Sequence, residues 1–373
     1  GQVLTADSNG EGYWASASGL SSDAQNNTVG GTNAGDSFSG TSAENNLCLG
    51  YGAGTAITTG DDNTSLGGNY AHSLLTTGSR NTAVGTFAGY GITTGSYNVN
   101  IGPFTCYSGS TSVEGNTVIG YMAGQYMQTG AYNTCLGFEA GETTTGSKNI
   151  AIGYQSLSQN TGAYNSGDDN IAIGSGTLWN ITTSSENIAI GTYAGYGTTT
   201  GVKNTYIGRR AGYSDQTSSL NTYLGYNAGY SCTREENTAV GAQSMEYTSG
   251  LKNTFLGLNA GRGNSSQTNG LASNNTGVGS FSLNVLNGGS GNTCFGDSSG
   301  SSITTGSDNT LIGKDMGGVT TGSKNLFLGV DAGSVNSPSG AIRTGSNNIV
   351  LGGNTIDNLY CADTSISSSD KRD

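Results

Sequence analysis

The sequence predicts an all-β chain: a parallel β-solenoid or β-roll of about 19 coils with ~17 residues per coil. Three observations predict it. The phrase Asn-x-x-aliphatic-Gly recurs 19 times, mostly at intervals of roughly 16 to 18 residues, a period typical of stacked repeats. Glycine is abundant, at 65 residues against 2 prolines, and no 3.6-residue apolar period appears, which argues against helix. A unit this short cannot bury its own apolar row, so identical rows must stack into a shared core.

The copies begin at Asn26, Asn46, Asn63, Asn81, Asn98, Asn116, Asn133, Asn149, Asn170, Asn187, Asn204, Asn221, Asn237, Asn253, Asn275, Asn292, Asn309, Asn325 and Asn348. The intervals before Asn46, Asn170, Asn275 and Asn348 are longer than the rest. They predict polar, Gly-rich insertions, which in solenoids usually emerge on one face and often make contacts. Three domains follow: a connector over residues 1–25, the repeat region over 26–353, and a C-terminal junction over 354–373.

Each column of the repeat has a physical task. One residue after the Asn stands Thr, Ile or Leu, and three after it Val, Leu or Ile, as in Thr82 and Val84. With period-2 alternation these share one face of a strand. The following Gly, such as Gly85, turns the chain where a Cβ would obstruct it. Small residues come seven places after the Asn (Ala88, Ala194, Ala211). Before each Asn lies Thr-Gly-x-x, read as a tight turn whose Gly takes positive φ. The Asn and Thr columns are expected to form ladders, each side chain bonding to its copy one coil away. The second residue after the Asn points away from the aliphatic ladder yet is often apolar (Ala83, Tyr206, Phe255, Phe327). That face is expected to pack on another copy of the chain, since so thin a coil has little core of its own.

"NTAVG", "NIAIG" and "NTVIG", with their Ala-Gly and Thr-Gly turns, resemble the coil repeats in the heads of trimeric autotransporter adhesins, which are left-handed parallel β-rolls. They are more similar still to the Gly-Asn-Thr-rich repeats of long phage tail fibres. The opening "GQVLTADSNGEGYW" is similar to a connector found before such modules in phage-type fibres. The closing "NLYCADTSISSSDKRD" resembles the junction to an endosialidase-type intramolecular chaperone, whose opening is commonly Ser-Asp-x-Arg. The resemblance implies a homotrimer, a chaperone that folds three chains together, and cleavage at the Ser369–Asp370 bond. An opening Gly1 rather than Met carries the expectation that the chain is a processed piece of something longer.

A net charge of −12 with no basic cluster makes nucleic acid and anionic membrane surfaces poor partners. No apolar run is long enough to insert in a membrane. The lone His72 offers neither a triad nor a metal site and is expected at a corner or surface. Cys48, Cys106, Cys135, Cys232, Cys294 and Cys361 include no CxxC pair and read as small buried apolar residues. Neither catalytic residues, nor a metal, nor a cofactor is predicted. The acidic pairs Asp168–Asp169 and Glu235–Glu236 supply the carboxyls a glycoside hydrolase needs. They fall, however, in a corner column where Arg80, Lys148 and Lys203 stand in other coils.

Nine residues after the Asn stand Tyr90, Tyr107, Trp179, Tyr196, Tyr213 and Tyr230, the last four in successive coils. Flat rings with polar tips suit stacking on sugar faces, which makes these six the candidate glycan-binding residues. Stacking on one another, or lining a seam between chains, is the structural alternative. The threonines four before the Asn (Thr59, Thr77, Thr94, Thr200, Thr305, Thr321) raise an ice-binding ladder, which the adjoining turn glycine disfavours. The expectation is therefore a structural and adhesive extracellular segment, a phage tail fibre recognising a host-surface glycan or receptor. A bacterial cell-surface adhesin or fibre is the alternative, with a depolymerase or ice-binding solenoid behind it.

Overall fold

The computed structural model describes residues 2–6, 12–16, 20–38, 42–109, 111–159, 164–265, 271–335, 337 and 339–353. It divides into two units, Gly1–Glu246 and Tyr247–Asp373. Both are parallel β-solenoids with ~17 residues per turn, each turn too short to hold a core without its neighbours. Among the described residues there is no helix.

In the first unit, β1 (Gln2–Ala6) and β2 (Gly12–Ser16) form an antiparallel pair. The short β3 (Ser21–Ser22) then pairs antiparallel with β4 (Thr28–Gly30), which begins the solenoid. From β4 to β16 (Thr238–Val240) each strand lies parallel to the next, so Thr82, Ala83 and Val84 face Val99, Asn100 and Ile101. The second unit repeats the scheme from β17 (Thr254–Leu256) to β22 (Ile349–Leu351). Residues 354–373, which hold the expected processing bond Ser369–Asp370 and Cys361, lie outside the described residues, as do residues 1, 7–11 and 17–19 of the connector.

The asparagine ladder is present. In nearly every step the Oδ1 of one Asn accepts the backbone N–H of the next. Asn63 Oδ1 takes it from Asn81 at 2.9 Å, and Asn187 Oδ1 takes it from Asn204 at 2.9 Å. The side-chain amide meanwhile donates to a carbonyl of the following turn, as from Asn81 to Gly95 at 2.9 Å. The asparagines from Asn27 to Asn325 are buried, so their ladder bonds satisfy groups that would otherwise be stranded. The first rung corrects the register: Asn46 N donates to Asn27, while Asn26 stands outside the ladder with φ 61. Val29 therefore aligns with Cys48, and the repeat starts one residue later than the motif Asn-x-x-aliphatic-Gly implies.

The two strand faces are the reverse of the expected ones. In β5 (Leu47–Tyr51) and every later strand the second residue after the Asn is buried, whereas the residues on either side of it are half-buried or exposed. Tyr206, Tyr223, Phe255 and Phe327 are the largest fully buried side chains, enclosed by their own chain, so this column is core and not a surface for another copy. The regular aliphatic ladder looks outward, with Leu66 42%, Leu136 43%, Leu224 42% and Ile312 46% exposed.

The interior is narrow, and turns fill it by complementary sizes. Where the strand residue is Ala151, Ala172 or Ala239, the residue six further on is Leu157, Leu178 or Met245, also buried. Where it is Tyr206, Tyr223 or Phe327, the partner position is Gly212, Gly229 or Gly333, and a Cβ there would lie within 2.4 Å of the ring. Close packing allows one large group per slot. The buried seventh-place alanines, and Ile57, Leu75, Ile92 and Ile181, complete the wall.

The turn before each Asn also departs from expectation. Positive φ falls on the residue just ahead of the Asn, as at Arg80 (φ 60), Lys148 (φ 59) and Lys203 (φ 60), and not on the Thr-Gly glycine. That glycine answers a close approach instead: a Cβ on Gly78 would lie 2.0 Å from the carbonyl oxygen of Gly95. Val113 and Ser184 occupy the same place in other turns, so the demand varies with the neighbour. The hydroxyls of Thr76 and Thr182 donate to the carbonyls of Thr93 and Thr199. The threonines directly after the Asn point outward, so the threonine ladder belongs to the turn and not to the strand.

Candidate functional site

Two aromatic ladders run along the first unit. The expected column, nine residues after the Asn, forms one. Tyr196–Tyr213 and Tyr213–Tyr230 stack with centroids 5.1 Å apart and planes within 7°. Trp179 caps the run on Tyr196 at 6.3 Å, and Tyr90 and Tyr107 stack at 5.3 Å as a separate pair. All six are half-buried. They face one another across the turns and leave edges and hydroxyls to solvent, so structural stacking and an exposed polar rim coexist. Partial burial, with Tyr196 and Tyr230 as neighbours, raises the Tyr213 phenol above its ordinary range. Arg210 lies over the Tyr213 ring at 5.8 Å.

Sequence reasoning missed the other ladder. Tyr51, Tyr70, Phe87, Phe104, Tyr121, Phe138 and Tyr154 follow one another at 5.3 to 6.1 Å, from places five to seven after the Asn. The two ladders touch edge to face, at Phe87–Tyr90 (5.5 Å) and Tyr193–Tyr196 (5.5 Å). Phe87 and Tyr193 hold their rings outward from positive φ, at 55° and 58°. The signal was available in the sequence, but its offset drifts with loop length and blurs the column.

The continuous run of the second ladder ends at Tyr154. The turn begun by Asn170 carries Ser175 and Gly176 where its neighbours carry Tyr154 and Tyr193. A cavity of about 150 Å³ opens there, lined by Tyr154, Gln155, Ser175, Gly176, Trp179, Tyr193 and Tyr196. Tyr154 is 52% and Tyr193 36% exposed, so the notch is open to solvent. Gln155 donates to Glu139 at 2.7 Å, which fixes its amide.

The remaining chemistry is structural. Asp168 accepts from the Ser147 amide at 2.6 Å, and Asp169 supplies the positive-φ corner. Arg80–Asp62 at 3.5 Å and Lys203–Glu186 at 3.8 Å are exposed pairs in that same corner of mixed sign. Among the described residues no group of three His, Cys, Asp or Glu could hold a metal. The described cysteines are buried thiols, and burial pushes Cys48 and Cys135 up to about 12. His72 is not at a surface: it is fully buried, bonded through Nδ1 to Ser65 Oγ at 3.1 Å, and burial lowers its pKa to about 3. Ser65 and Ala83 are small, which leaves the interior room for an imidazole. No helix among the described residues is long and apolar enough to cross a membrane. Comparison with models of known protein families gives no match, and neither does comparison with curated protein sequences.

Proposed function

We propose that this chain is a structural and adhesive segment of an extracellular homo-oligomeric fibre, in the manner of a phage tail fibre that recognises a host surface. The observation that carries the reading is the outward aliphatic ladder. In the first unit Leu66, Ile101, Leu136, Ile190 and Leu224 follow one line on the strand face, each more than a third exposed. A continuous apolar stripe of this regularity is more than a monomer normally leaves in water, and a second and third copy laid along it would cover it. Three copies is the number the resemblance to trimeric fibres implies; the stripe itself asks only for a partner. A bacterial cell-surface adhesin would use the same solenoids, and the aromatic ladders would serve recognition on either particle.

Mass in solution tests the assembly. Light scattering should give about three times the chain mass of 37.5 kDa. Ile190→Lys with Leu224→Lys should dissociate the oligomer and leave the β-type circular dichroism of the chain. A wild-type monomer would end the fibre reading.

A further inference from the structure

We infer that the notch at Ser175–Gly176 is a binding site for one neutral pyranose ring of a surface polysaccharide, held between Tyr154 and Tyr193. The inference deepens the fibre reading, on which it rests for its biological setting. The cavity lies where Ser175 and Gly176 stand in place of an aromatic rung. Tyr154, Ser175 and Tyr193 belong to three successive turns. The Tyr193 ring leans onto Gly176 and walls the notch on one side, and Tyr154 walls it from the turn before.

Polarity selects the occupant. A pyranose chair carries C–H groups on its faces that pack on an aromatic wall, and it carries hydroxyls around its rim. Its equatorial hydroxyls then point sideways, toward the Ser175 hydroxyl, the Gln155 amide and the phenol rim. This combination of apolar walls and a few convergent polar groups is what small-ligand sites use for orientation. No basic side chain lines the notch, which favours a neutral sugar over an acidic one.

Filling the missing rung is the test. Gly176 already has φ 62, and Phe87 and Tyr193 carry rings in that column at φ 55 and 58, so Gly176→Phe should fold. The Cβ would press on Tyr193 Cδ1 at 2.7 Å, a side-chain ring that can shift. The full chain is titrated with hexose, N-acetylhexosamine and 6-deoxyhexose oligosaccharides by saturation-transfer NMR and calorimetry, beside N-acetyl-tyrosinamide. At least one sugar class should bind saturably, and Gly176→Phe and Tyr154→Ala should each weaken it at least tenfold. Lys203→Gln, in the exposed corner of mixed sign, should leave it unchanged. The inference is overturned if no sugar binds the wild type, if binding survives Gly176→Phe, or if only N-acetyl-tyrosinamide competes for the notch. Light scattering on the same sample keeps the two readings apart: a sugar-binding monomer sinks the fibre alone, and a trimer that binds no sugar sinks the notch alone.

Discussion

Phe255 fills with its ring the space that a side chain on Gly261 would need: a Cβ there would lie 2.5 Å from three of the ring carbons. One turn further on the arrangement is inverted, with Gly277 on the strand and Leu283 buried opposite. The solenoid thus conserves volume per turn and not residue type per column. Phe255→Ala should cost about 3 to 5 kcal/mol through the cavity it leaves. Gly261→Leu alone should destabilise by overpacking, by about 1 to 3 kcal/mol. The double variant rebuilds the neighbouring pattern, and Leu283 shows that the position accepts a leucine at φ 50. It should recover more than half of the Phe255→Ala loss, read as the shift in denaturant midpoint. Additive losses would show that the two positions do not share a slot.

The asparagine ladder makes a sharper demand, because removing one member strands groups on both sides. Asn187 accepts the Asn204 N–H at 2.9 Å and donates to Asn170 Oδ1 and to the Gly201 carbonyl at 3.1 Å each. Asn187→Ala should leave the buried Asn204 amide without an acceptor, at a cost of about 1 to 3 kcal/mol for that group. The two lost amide bonds add to this. Asn348 ends its run part-buried, so Asn348→Ala should cost less than half as much. Hydrogen exchange at the Asn204 amide gives the local readout: it should speed up in Asn187→Ala well before the chain unfolds globally.

How much of this was legible follows from what each column faces. The period, the parallel stacking and the asparagine ladder could be read from the repeat, because an Asn that bonds to its own copy must stay an Asn. Which strand face points inward could not. Alternation fixes only that Ala83 and Val84 lie on opposite faces. The usual rule, that the more regular apolar column is core, fails when the interior is narrow and irregular. Here the core column varies with its partner six residues on, while the uniform one lies outside. Asn26 passes for Asn27 because both are followed by motif-like residues, and only the bond to Asn46 decides between them. The serine ladder, in which the Ser79 and Ser96 hydroxyls accept amides of Asp61 and Ser79, hid inside turn composition. The notch was least legible of all, since its sign is a ring missing from a column whose offset drifts.

The buried polar groups of the core do not all find partners. Asn100 occupies the inward strand column at 0% exposure, and both its side-chain nitrogen and oxygen lack a hydrogen bond. The adjacent turn carries Val118 in the same column, so the interior admits a β-branched group there. Asn100→Val removes the desolvation penalty and should raise stability by about 1 kcal/mol or more. A drop in melting temperature would mean that the amide is satisfied in solution.

Asp215 should make the stability of the first unit depend on pH. Its carboxylate accepts from the Tyr206 hydroxyl at 2.8 Å and the Asn221 amide at 2.9 Å, with the Ser218 N–H at 3.2 Å on the other oxygen. Burial nonetheless outweighs these bonds and raises its pKa from 3.8 to about 6. An acid whose folded pKa lies above its unfolded one binds more protons when folded. Its stabilising contribution is therefore complete below pH ~4 and is lost as pH rises through ~6. A shift of this size corresponds to at most about 3 kcal/mol between those limits. Asp215→Asn cannot titrate, so its stability relative to wild type should improve steadily from pH 4 to pH 7. Denaturation curves at matched ionic strength across that window measure the difference. A constant offset between the two proteins would place the Asp215 titration outside the window and show that the bonds from Tyr206, Asn221 and Ser218 offset its burial.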